Sequence, residues 1–312
     1  MGYHPRIETS DIACFLTTRS TGSRLWFVNN PQLEDDILGY VAKYSKIYNV
    51  KVYALAIEGN HVQAPMLFED CNRASFMRDL NASIARCVKK RTNHGVGQFW
   101  GRRYSNEFLP DSEDIKDRFF YTVLQPVQDG LVEKISEYPG YNCFHDAIWG
   151  VKRRYKVVRW GEYNAAKRHN PNVRVADFTE DVELEYARLP QYEDMSQREY
   201  AKMMMAELEK RRVKIVAERR KNGLGFAGRA ALIRTVPGAA PRETKTSTRD
   251  SERPRILSNC PKRIAEWMEW YFKIYFTYKE CSRRYRAGEL DVKFPPGTYP
   301  PHLPCKRYTV EP

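Results

Sequence analysis

The chain reads as an α+β protein: an antiparallel sheet of split βαβ type with helices, followed by a mostly helical, basic C-terminal region. Two observations predict this. Hydrophobic patterns of period 2 and 3.6 succeed one another through the first half in the order strand, helix, strand, strand, helix, strand, with a further helix behind them. The second half carries long charged helical stretches, and the charge balance changes with it. Residues 1–150 hold 17 Lys and Arg against 18 Asp and Glu, whereas residues 151–312 hold 35 against 21, so the whole formal excess of +13 lies in the second half. We therefore place one domain at 1–150 and a basic one at 151–312, with a linker near 236–256.

Each element has a local reason. Ile12 to Thr18 is an apolar run that predicts a buried strand. From Pro31 to Tyr48, Leu33, Ile37, Leu38, Val41, Tyr44 and Tyr48 fall on one face, an amphipathic helix with Pro near its start. Val50 to Ile57 is a second strand, Glu58-Gly59-Asn60 a turn, and His61 to Phe68 a third strand that closes a hairpin. Pro65 lies inside that strand, which predicts an edge position or a bulge. Asn72 is a candidate cap for a helix to about Arg91. Its apolar stripe is Phe76, Leu80, Ile84, Cys87 and Val88, with Arg73, Arg78, Arg86, Lys89 and Lys90 largely off it.

A glycine-rich connection then leads through Phe99 to Tyr104 into a short strand, Ser105 to Leu109. Asp111, Glu113 and Asp114 open the next helix, where acidic groups suit the positive end of the helix dipole. Ile115, Phe119 and Val123 face the core, Arg118, Tyr121 and Gln125 lie on another face, and Pro126 ends or kinks the helix. This order is that of ferredoxin-like or RRM-like sheets. In the second half, Ser196 to about Asn222 is a long charged helix ended by Gly223. Residues 236–256 read as an exposed linker or DNA-tracking arm, Arg263 to Tyr285 as an aromatic-rich helix, and Phe294 to Pro304 as extended chain.

Composition narrows the function. The 312 residues (36.6 kDa, 42% hydrophobic, 13% aromatic) describe a folded chain with no run of eighteen apolar residues. The first residues lack an apolar signal core, and no membrane partner is expected. Seven cysteines, odd in number and without a Cys-x-x-Cys pair, predict neither a disulfide framework nor structural zinc, and suit a reducing cytoplasm. The basic second half suggests a polyanion, most often nucleic acid; a solvated helical surface is the alternative.

The residues that carry chemistry are few. His61 and Gln63, two apart on a strand, point to one side and offer a nitrogen and a carbonyl oxygen suited to Mg²⁺ or Mn²⁺. Tyr121 and Gln125, four apart, are neighbours on a helix surface, so Gln125 is a candidate third ligand that holds the ion beside the Tyr121 hydroxyl. A phenol is a poor nucleophile at neutral pH and needs a nearby positive charge or base. Taken singly, each pair also reads as ordinary structure: a turn histidine, a surface glutamine, a half-buried tyrosine. Arg118, one turn before Tyr121, reads either as a phosphate contact or as a partner of Asp114 or Asp117. Trp100, Arg102 and Arg103 are candidates for stacking a base and gripping the backbone, with core packing the alternative for Trp100. Lys89 and Lys90 are further DNA-binding candidates.

Four motifs, in order, resemble those of the single-tyrosine HUH transposases, most closely the REP-associated tyrosine transposases. The family's Tyr-x-x-x-Asn-Pro-Val-Arg-x-Gly-Leu-Val segment is similar to Tyr121-Thr122-Val123-Leu124-Gln125-Pro126-Val127-Gln128-Asp129-Gly130-Leu131-Val132. Its Pro-Asn-His-hydrophobic-His motif is similar to Gly59-Asn60-His61-Val62-Gln63, its Trp-x-x-Arg segment to Trp100-Gly101-Arg102-Arg103-Tyr104, and its Glu-x-Tyr-Pro segment to Glu137-Tyr138-Pro139. The second half is similar to the basic C-terminal extension of some longer relatives.

The resemblance implies that Tyr121 attacks single-stranded DNA near a hairpin, forming a 5′-phosphotyrosine and releasing a 3′-hydroxyl. It also implies that His61, Gln63 and Gln125 hold the divalent metal. The chain departs from the family pattern at Gln63, Gln125 and Gln128. Two alternatives accompany this expectation: a domesticated protein that binds hairpins without cutting them, and an HUH replication initiator or relaxase. A bacterial, nucleoid-associated protein of the cytoplasm is expected, with a homodimer left open.

Overall fold

Residues 5–241 and 255–302 are described in the computed structural model of the chain. The first half holds β1 (Ala13–Arg19), α1 (Pro31–Ile47), β2 (Val50–Val52), β3 (Ala56–Glu58), β4 (His61–Phe68), α2 (Arg73–Arg91), β5 (Ser105–Leu109), α3 (Ser112–Val123), α4 (Gln125–Gln128) and α5 (Phe144–Trp149). The sheet runs β2-β4-β1-β5, with β3 also paired to β4, and every pairing is antiparallel. This is the mixed fold with an antiparallel, split βαβ sheet that the sequence predicts.

The second expected strand is two strands. Val52 pairs with Met66 and Ala56 with Gln63, so Tyr53, Ala54 and Leu55 face only Ala64 and Pro65, which is a bulge. The Pro65 carbonyl accepts from the Tyr53 N–H at 3.0 Å, so the donor that proline lacks falls on the bulged side. The ladder to β1 continues past it, with Phe15 opposite Pro65. A central strand tolerates this proline because its neighbour, not the strand itself, is irregular.

Strand alternation assigns the two faces. Cys14 meets Arg73 of α2 at 3.3 Å on one face, while Phe15 meets Tyr121 of α3 on the other, ring centroids 5.8 Å apart. The sheet therefore lies between an α1/α2 layer and α3. Two expectations on the α2 side are corrected. Asn72 donates to the Tyr48 carbonyl at 3.0 Å rather than capping, and Glu8 accepts from the Ala74 N–H at 2.6 Å in its place. Arg73, expected off the apolar stripe, is buried and donates to the Ile7 carbonyl at 2.8 Å.

The second half holds β6 (Arg153–Val158), α6 (Trp160–His169), β7 (Thr179–Leu184), α7 (Gln197–Lys221), α8 (Arg229–Ile233) and α9 (Pro261–Arg286). β6 and β7 pair with each other and lie on α1, where Gly39 permits close approach: a Cβ there would stand 2.9 Å from Val157. α7 packs on α4 and α5. Residues 255–257 add to the free edge of β5: Arg255 accepts from the Phe108 N–H at 2.6 Å and Leu257 donates to the Phe108 carbonyl at 2.9 Å. That covers an otherwise open strand edge. One hydrophobic cluster runs from Ile7 through the sheet to Met204, Ile256 and Tyr271.

Of the stretch expected as a linker at 236–256, residues 242–254 lie outside the described residues, as do 303 and 304 of the expected extended tail. Gly238 and Ala239 bond back to Leu25 at 2.9 Å. Among the described residues, six cysteines are free and no helix is long and apolar enough to cross a membrane.

Candidate active site

The register that builds the sheet also builds the site. Arg19 lies opposite His61, and Thr17 opposite Gln63; on the other side of β4, Glu58 faces His61. With Ser105 opposite Thr17, the α3 face of the sheet carries polar groups at one end, where β1, β4 and β5 meet. Thr17 and Arg19 were not singled out from the sequence. The signal was there, in the alternation Phe15-x-Thr17-x-Arg19, but it reads as an ordinary strand until the opposite strand is known.

His61 is buried and its Nδ1 stands 2.8 Å from the Asn60 Oδ1. The orientation of Asn60 is settled by its Nδ2, which donates to the Ser23 carbonyl at 2.9 Å, a group that only accepts. Asn60 therefore accepts from Nδ1–H, and in the neutral ring Nε2 is the basic nitrogen. That is the usual way a ligand histidine is held from behind.

Gln63 and Gln125 are buried and bonded to each other: Gln63 Nε2 donates to Gln125 Oε1. Gln125 Nε2 in turn donates to Asp129 Oδ2 at 3.1 Å. Tyr121 and Gln125 do not share one helix as expected. α3 stops at Val123 and Gln125 opens α4, because Pro126 cannot continue the ladder. The break is slight, since Leu124 still donates to the Phe120 carbonyl at 3.0 Å and Gln128 to that of Leu124 at 2.9 Å. Gln125 is thus turned toward β4 while Tyr121, half-buried, lies edge-on to Phe15.

Arg118 has its guanidinium carbon 5.0 Å from the Tyr121 ring centroid and 5.9 Å from that of Phe15. The carboxylates that competed for it are engaged elsewhere: Asp117 with Arg211 at 2.7 Å, and Asp114 with Arg263 at 3.1 Å. The two carboxylates that the sequence offers as partners of Arg118 thus pair with other arginines. A second tyrosine of the motif set, Tyr138, donates to the Ile57 carbonyl at 3.4 Å. Desolvation, with the Glu58 and Glu34 carboxylates nearby, pushes its phenol well above the ordinary value, which makes it a poor nucleophile.

No family model matches the chain. A stretch of 89 residues, 28% of this chain, is 27% identical to a curated Haemophilus influenzae protein whose name assigns it provisionally to the REP-associated tyrosine transposases. Over that stretch the chain is similar to a protein named for the REP-associated tyrosine transposases. It spans about half of that relative, 48% of its length. A solved structure of a REP-associated tyrosine transposase bound to a REP hairpin aligns with TM-score 0.40 and 16% identity, over 46% of this chain and 84% of that one.

The remaining DNA-binding candidates read from the sequence fall in three places. Arg102 and Arg103 are exposed on the segment beside the end of β1, where the Gly101 N–H donates to the Arg19 carbonyl at 3.0 Å. Trp100 is half-buried with Phe99 and Phe27, and its indole N–H donates to the Asn81 carbonyl at 2.9 Å. That is the packing alternative of its two readings. Lys89 and Lys90 end α2, on the far side of the sheet from Tyr121, and Lys90 lies 3.8 Å over the Trp160 ring.

The metal implied by the transposase resemblance fits these residues in donor type: an imidazole and two carboxamides, an N/O set of the kind Mg²⁺ or Mn²⁺ accepts. As they stand, the Gln125 oxygen accepts from Gln63 Nε2, so the Gln63 amide would have to turn for both oxygens to face one cation.

Proposed function

We propose that the chain cleaves and rejoins single-stranded DNA beside a hairpin, as a single-tyrosine transposase, with Tyr121 as the nucleophile. The observation that carries the reading is the Gln63–Gln125 bond. It draws the segment after Tyr121 onto the strand that bears His61, so groups some sixty residues apart meet at one end of one sheet face. The relationship to the REP-associated tyrosine transposases supports it.

In this reading Tyr121 Oη attacks phosphorus and loses its proton to water. The bond to the 3′ oxygen breaks, and the released strand ends in a 3′-hydroxyl while the 5′-phosphate stays on the tyrosine. Rejoining reverses these steps with the 3′-hydroxyl of another strand. Arg118 sets a positive charge beside the phenol and the phosphate it attacks. Arg19, Arg102 and Arg103, at the same end of the sheet, grip flanking phosphates. His61, Gln63 and Gln125 would hold the cation, which would supply Lewis-acid polarisation of the scissile phosphate.

The test is a labelled hairpin oligonucleotide incubated with the protein in Mg²⁺ or Mn²⁺. A covalent protein–DNA adduct is expected from wild type and none from Tyr121→Phe. An equal adduct from both removes Tyr121 from the reaction. A second reading, hairpin binding without cleavage, is favoured by the two carboxamides bonding each other. Tight binding with no adduct in any divalent metal would select it.

A further inference from the structure

We propose that Asp129 is a positioning residue of this site, which orients the Gln125 carboxamide and, through it, that of Gln63. The consequence for a cation rests on the metal reading above; the orienting itself does not.

The argument starts from donors and acceptors. A carboxylate accepts and has nothing to donate, whereas a carboxamide does both and can turn end for end. Asp129 Oδ2 stands 3.1 Å from Gln125 Nε2, one helical turn away. The NH₂ end of Gln125 therefore points to Asp129, and its oxygen points the other way. That oxygen accepts from Gln63 Nε2. The row Asp129–Gln125–Gln63 thus has one direction, and it originates in the one member unable to reverse.

The backbone keeps Asp129 where this requires. Its N–H donates to the Gln125 carbonyl at 2.9 Å. The following Gly130 turns the chain at φ +72°, and Arg219 of α7 donates to the Gln128 carbonyl at 2.9 Å. Although Asp129 is exposed, both its neighbours in sequence are held. Without the carboxylate, the two buried amides have two directions open to them. In the reversed one Gln125 turns its NH₂ toward Gln63, and its oxygen no longer faces the strand that bears His61. Asn60 acts on His61 in the same manner, fixing one ring nitrogen so that the other is a base.

Asp129→Asn is the discriminating variant, because it keeps the shape and adds a donor. The chain has seven glutamines, so [¹⁵N]glutamine labelling gives a side-chain spectrum small enough to assign by Gln63→Glu and Gln125→Glu. Without metal, the side-chain signals of both Gln125 and Gln63 are expected to move in Asp129→Asn, with the melting temperature that of wild type. Asp129→Glu is expected to restore part of the shift. Gln63 signals that stay in place overturn the proposal.

Mn²⁺ added with hairpin DNA is then expected to broaden the same signals, at about tenfold higher concentration in Asp129→Asn than in wild type. Equal midpoints overturn the consequence for a cation. If wild-type signals ignore Mn²⁺ while Asp129→Asn still moves Gln63, the metal reading under Proposed function fails and the positioning role stands.

Discussion

At the scale of single residues, the site is held by one contact of long sequence separation. Gln63 and Gln125 lie 62 positions apart and are both buried, so each satisfies a polar group that would otherwise be stranded without water. Removing one partner is expected to cost about 1–3 kcal/mol, since the survivor keeps its desolvation penalty. Replacing both by apolar groups is expected to cost less than the two single changes together. A double-mutant cycle of Gln63→Leu and Gln125→Leu in urea unfolding measures this, and strict additivity would show that the two side chains do not interact. That His61 and Gln63 share a face is legible in the sequence, because a strand alternates strictly. The side of Arg118 on which its partner lies is not. The competing Asp114 and Asp117 are engaged by Arg263 and Arg211, from helices far along the chain.

At the scale of elements, the segment that carries the tyrosine is two helices rather than one. Pro126 divides α3 from α4, and Gly130 reverses the chain beyond them. The carbonyls of Gly130 and Leu131 each accept at 2.9 Å, from Ala227 and Gly228, so the turn is clamped by the stretch that follows α7. A Cβ on Gly130 would run into the Arg219 guanidinium, and the positive φ disfavours any side chain. Gly130→Ala is therefore expected to lose about 1–2 kcal/mol from backbone strain alone, read as a lower urea midpoint. It should also weaken adduct formation, because α4 carries Gln125. Unchanged stability would mean that the turn is free to relax. The pattern Gln-Pro-Val-Gln-Asp-Gly announced a helix stop; that the stop would be gripped from α7 had no local signal.

At the scale of the whole molecule, the basic second half braces the first. Arg211 and Arg263 pair with the first two turns of α3, Arg212 and Arg220 reach Glu133, and residues 255–257 cover the edge of β5. These contacts join the two regions that the charge balance separated. A fragment of residues 1–150 would expose that edge and strip α3 and α4 of their partners. It is expected to aggregate, or to melt well below the whole chain, in a light-scattering and thermal-unfolding comparison. A fragment as stable as the whole chain would show the first half to be an independently folding domain. Some arginines of the basic half thus neutralise carboxylates of the first half.

The sequence by itself determined the order of the elements through the first half, with β2 and β3 read as one strand, the stop at Pro126, an edge position or a bulge at Pro65 and the shared face of His61 and Gln63. All of these follow from rules that act over a few residues: alternation, helical period, and what proline and glycine allow the backbone. Tertiary structure alone decided that Gln125 bonds Gln63, that Arg211 and Arg263 rather than Arg118 pair with Asp117 and Asp114, and that the C-terminal helices clamp the tyrosine segment. Each of these depends on which groups burial brings within about 3–5 Å of each other, and no local pattern encodes a meeting between residues a hundred positions apart.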